Sequence, residues 1–64
     1  MRIVYFPKWD RLIKRWRVFY WRVFYQNGEG IEIFPAIPTD YTYFYEFQAW
    51  SKCNELQQES DKLT

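Results

Sequence analysis

The pentapeptide Trp-Arg-Val-Phe-Tyr occurs twice in immediate succession, as residues 16–20 and 21–25. Five is odd, and a β-strand alternates its side chains with a period of two, so every residue of the second copy would point to the face opposite its twin. A strand made of both copies carries Trp16, Val18, Tyr20 and Phe24 on one face and Phe19, Trp21, Val23 and Tyr25 on the other. Neither face is polar. Such a strand belongs at the centre of a sheet or beneath a partner, and its β-branched and aromatic composition favours strand over helix.

The flanking segments define what the strand can pair with. Ile3, Val4, Tyr5 and Phe6 read as a short first strand that Pro7 ends. Beyond it, Trp9, Leu12, Ile13 and Trp16 fall at helical spacing with Lys8, Arg11, Lys14 and Arg15 on the far side, which predicts a helical turn over 8–15 before a long strand near 16–26. Asn27-Gly28-Glu29-Gly30 predicts a hairpin, because Asn-Gly supplies the positive φ angles of a tight turn. Ile31 to Phe34 is the return strand. Residues 35–40, with Pro35 and Pro38, are expected to be extended and turn-like.

From Tyr43 helix formers take over. Tyr45, Ala49, Cys53 and Leu56 make a stripe flanked by Phe47 and Trp50, with Thr42 or Asp40 as candidate N-cap and Trp50 as the expected anchor on the sheet. Residues 57–64 are polar and expected to fray. The fold class is therefore α+β: one domain over 1–64, a small antiparallel sheet of two or three strands packed by a C-terminal helix.

A 64-residue chain needs large side chains to build a core, and four Trp, six Tyr and six Phe supply them. That is more ring surface than one small core encloses, so some rings should be exposed or covered by another chain. A self-associating protein, most simply a two-fold dimer, is expected on this ground. Charge is segregated as well. Residues 1–25 hold seven cations against Asp10 alone, and residues 26–64 hold two cations against seven carboxylates. One cysteine excludes an internal disulfide and favours a reducing, cytoplasmic setting. No run approaches the ~20 apolar residues of a membrane span, and the N-terminus lacks the pattern of a secretory signal.

The catalytic inventory is nearly empty. Without histidine the commonest general base and metal ligand are missing. Cys53 alone makes no zinc site, and its place in the helical stripe marks it as core. Gly28 and Gly30 lack the Lys-Ser/Thr of a phosphate loop. Neither an enzyme, a cofactor nor a metal is expected.

Cations interleaved with rings at Arg11, Lys14, Arg15, Trp16, Arg17, Trp21 and Arg22 are the candidate partner-binding residues. Trp, Tyr and Arg are the residue types most enriched among energetic hot spots of protein interfaces. The same mixture suits single-stranded nucleic acid, through phosphate pairing and base stacking, and, less well, an anionic membrane surface. From Trp21 to Leu56 the pattern also resembles the arm-site DNA-binding domain of tyrosine-type integrases, in Trp21-Arg22-Val23, the hairpin turn, and the helix with Glu46, Ala49 and Trp50. That resemblance implies a sheet face that enters a DNA groove. This chain departs from it by Glu32, Pro35 and Pro38 where that family places lysines and arginines. The expectation is a small non-catalytic protein-binding regulator, of the kind phages and mobile elements use to inhibit host proteins. Nucleic-acid binding through 11–25 is the alternative.

Overall fold

In the computed structural model, which describes residues 1–63, three strands and one helix follow one another along the chain: β1 (Arg2–Asp10), β2 (Arg15–Gln26), β3 (Glu29–Tyr43) and α1 (Glu46–Lys62). The strands form one antiparallel sheet in the order β1-β2-β3, with the repeat-bearing strand at its centre. The helix packs on one face. This is the expected α+β arrangement, with three strands in the sheet.

The pairing of β1 and β2 is unbroken from Arg2↔Val23 to Asp10↔Arg15, so no helix spans 8–15: residues 8–10 and 15 are strand and only 11–14 turn. The helical spacing there is overridden because Trp9 pairs with Trp16, their rings meeting edge to face at 5.6 Å. Pro7 does not end the strand either. Tyr5 N–H donates to Gln57 Oε1 at 2.9 Å and Gln57 Nε2 donates to Ile3 O at 2.9 Å, so the odd residues of β1 turn their backbone polar groups outward. Pro7 therefore lacks an N–H only on the free edge, where none is needed.

Arg11 to Lys14 form the β1–β2 turn. Asp10 Oδ1 accepts a 3.1 Å bond from Leu12 N–H, and Lys14 adopts a φ of 53°. The second turn is the two-residue hairpin that Asn-Gly dictates, with φ of 54° at Asn27 and 81° at Gly28. Glu29 and Gly30 already belong to β3.

β3 is longer than expected and irregular. Its register against β2 shifts twice, between Arg17 and Phe19 and between Tyr20 and Arg22. At each shift one residue of β2 faces three of β3: Val18 faces 39–41 and Trp21 faces 34–36. The prolines are accommodated at these irregularities, Pro35 after a cis peptide bond and Pro38 beside Phe19. At the first shift Thr39 Oγ1 replaces the missing ladder donor by giving a 2.7 Å bond to Val18 O.

The N-cap of helix α1 is Tyr45, not Asp40 or Thr42. Gln48 Oε1 accepts from Tyr45 N–H at 3.3 Å. A tyrosine phenol cannot fold back onto the backbone as a serine hydroxyl does, so this is half of a capping box. Ala49 and Cys53 are the buried residues of the helix and close over Val18, with Tyr5, Trp16, Tyr43 and Leu56 packed around them. Burial pushes the Cys53 thiol above its usual range, as suits a core residue. Trp50 is not the anchor: it is 48% exposed and its indole donates to Glu46 Oε1 on the same helix. Residues 57–62 are helical, and Gln57 holds the edge of β1.

Candidate protein-binding face

Strand alternation sorts the seven candidate residues. Trp16 and Arg22 lie on the helix-covered side, opposite Trp9 and Ile3 of β1. Trp16 packs against the core, and Arg22 Nε is buried with no hydrogen-bond partner among the described residues. Arg15, Arg17 and Trp21 lie on the helix-free side, while Arg11 and Lys14 are exposed in the β1–β2 turn. The segment 11–25 is thus not one surface. Its period-two alternation divides it between two faces and a turn.

The helix-free face is assembled from all three strands. Phe6 of β1 stacks on Phe19 and Trp21 of β2, with centroids at 5.9 and 5.4 Å and interplanar angles of 24° and 15°. Trp21 meets Phe34 of β3 edge to face at 5.0 Å. Four rings therefore form a continuous strip across the sheet. Phe34 remains 73% exposed. Phe6 and Phe34 belong to this strip as much as the repeat does; only the alternation of each flanking strand against the register could have indicated them.

Charged groups ring the strip. Lys8 Nζ lies 5.7 Å from the centroid of Phe19, and Arg15 stacks its guanidinium 3.8 Å above Phe44. Arg17 ties the strands together: Nε donates to Asp10 Oδ2 at 3.0 Å and Nη1 to Thr39 O at 2.6 Å. Both partners of the Arg17–Asp10 pair are only 19% exposed. At the other end Val23 sits between Arg2 and Glu32 of the neighbouring strands.

Burial pushes the Asp10 carboxyl up, but the bond from Arg17 and the backbone N–H groups of Leu12 and Ile13 outweigh it and hold the group below its ordinary value. A depressed folded-state value contributes stability that is fully present above the unfolded value, about 4, and is lost as pH falls below it. Urea midpoints measured between pH 5 and pH 2 should therefore fall more steeply for the parent than for Asp10→Asn. Equal slopes would show that Asp10 is not held in this way.

Among the described residues no three His, Cys, Asp or Glu side chains gather in one place. No helix among the described residues is long and apolar enough to cross a membrane. Compared with protein-family models, curated proteins and solved structures, the chain shows no match.

Proposed function

We propose that this chain is a non-catalytic protein-binding module of the cell interior whose partner surface is the helix-free face of the sheet. The observation that carries this reading is the aromatic strip Phe6–Phe19–Trp21–Phe34 with its charged rim. An apolar centre with a polar border is the anatomy of a protein interface. The molecule is a slab of 39 × 24 × 15 Å, and one broad side of it matches the ~800 Å² each partner contributes to an interface of standard size. A module of this kind acts by occupying another protein's surface, as the small inhibitors carried by phages and mobile elements do.

Nucleic-acid binding through 11–25 is less well supported. Arg17 is engaged by Asp10 and Thr39, Arg22 lies on the covered side, and the face has Asp10 and Glu32 on it. A two-fold dimer through the same face is a second reading, favoured by the exposure of Phe34 and the size of the strip.

The test is capture of partners from a nuclease-treated extract of the producing cell by the parent and by Trp21→Ala, with circular dichroism confirming that the variant folds. A nuclease-resistant protein partner is expected, its affinity falling by roughly 30-fold or more on loss of the Trp21 ring, as for a hot spot of about 2 kcal/mol. Submicromolar binding of an oligonucleotide, with a log–log salt slope of about −0.7 to −0.9 per phosphate neutralised, would replace this reading with the nucleic-acid one. A mass that rises from 8.1 kDa with concentration in sedimentation equilibrium would identify the second copy as partner.

A further inference from the structure

The tandem repeat sets the same three side chains, in the same order, on both faces of β2. Trp16, Val18 and Tyr20 point to the helix, and Trp21, Val23 and Tyr25 point away from it. The covered face shows what this ladder receives. Val18 is 0% exposed beneath Ala49 at 0% and Cys53 at 2%, with Leu56 continuing the contact. Small side chains four residues apart let the α1 backbone lie close against the rings and the valine.

We propose that the open face receives a second helix, supplied by a partner protein, which presents a stripe of small residues at i and i+4 and carries acidic residues on the flank that meets Lys8 and Arg15. This rests on the protein-binding reading and names the partner's chemistry. A sheet apolar on both faces is completed by a layer on each, and the existing layer is a helix. Phe6 stacks on Phe19 and on Trp21, at 24° and 15°, so the three rings give an incoming helix a continuous apolar row to lie along. The two faces differ in one respect. Val23 is already reduced to 9% exposure between Arg2 and Glu32, so the incoming helix sits over Phe6, Phe19 and Trp21, displaced toward the β1–β2 turn. That end carries Lys8, Arg11, Lys14 and Arg15, which gives the acidic flank its place.

The protein's own helix supplies a probe. A labelled synthetic peptide of residues 46–62 carries the Ala49–Cys53 stripe and Glu46, Glu55, Glu59 and Asp61; under reducing conditions it is titrated into the full chain. Saturable binding is expected, weakened about tenfold or more by Trp21→Ala, by Phe34→Ala, and by leucine at both stripe positions of the peptide. Phe34→Ala removes a largely exposed ring and should leave the fold intact, which circular dichroism checks. In NMR spectra the indole N–H of Trp21 should shift while that of Trp16 does not. No binding at about 1 mM, or a shift of the Trp16 indole showing exchange with the resident helix, would overturn the proposal. So would a dimer that Trp21→Ala dissolves and the peptide leaves untouched. If the peptide fails while Trp21→Ala still abolishes partner capture, the helix proposal falls and the protein-binding reading stands.

Discussion

Ala49→Leu is expected to destabilise the domain by about 1–3 kcal/mol, the usual result of forcing extra methylenes into a closed site. Ala49 has no exposed surface and lies directly against Val18, with Cys53 one turn along. The added isobutyl group would have to lift α1 off the sheet. Domains of this size hold only about 3–5 kcal/mol in reserve, so the variant should melt far below the parent. Trp50→Ala makes the contrast: it deletes a much larger side chain, yet Trp50 is 48% exposed and its indole bonds to Glu46 of its own helix, so its loss should fall near the ±0.5 kcal/mol of a surface change. Urea denaturation of both variants decides the matter. The reverse ranking would mean that α1 is rotated about its axis from the placement described.

Gln57→Ala should have the next largest effect, about 1–2 kcal/mol for the two hydrogen bonds lost to β1. The Gln57 amide acts toward β1 as an adjoining strand would, accepting from Tyr5 N–H and donating to Ile3 O. Its removal leaves both groups on a free sheet edge, which is a template for pairing with another chain. Amide exchange at Tyr5 should accelerate while that of Phe6, which faces β2, stays protected, and light scattering should rise on concentration. Unchanged exchange at Tyr5 would show that the edge is closed by something other than Gln57.

The features legible in the sequence were those with a local cause. Asn27-Gly28 specifies its turn through backbone conformation alone, and the pentapeptide repeat specifies its two-faced strand through parity alone. The Ala49–Cys53–Leu56 stripe follows from helical period. Residues 8–15 misled because Trp9, Leu12, Ile13 and Trp16 satisfy a helical spacing while also fitting a hairpin, and only the pairing of Trp9 with Trp16 across the turn decides between them. Pro7 and Pro35 likewise fail to end their strands because Pro7 turns its missing N–H to a free edge and Pro35 lies where the pairing with β2 is interrupted, and both facts depend on neighbours distant in the chain. The candidate surface was half visible. Trp21 and Arg17 belong to it, but Phe6 and Phe34 join it only through register, and Trp16 and Arg22 leave it for the same reason.

The two irregularities of β3 determine which changes of length the chain can survive. Residues Glu29–Tyr43 accompany Trp16–Gln26 with four residues to spare, two at 34–36 and two at 39–41. Because each surplus is even, excising either pair would shorten the strand without exchanging inner for outer side chains anywhere downstream. A single deletion at either place would turn every following residue over, taking Ile37 or Tyr43 from the helix-covered side of the sheet and re-aiming the point where α1 starts. Descendants of this gene should therefore tolerate gains and losses in this strand by twos and be purged of those by ones.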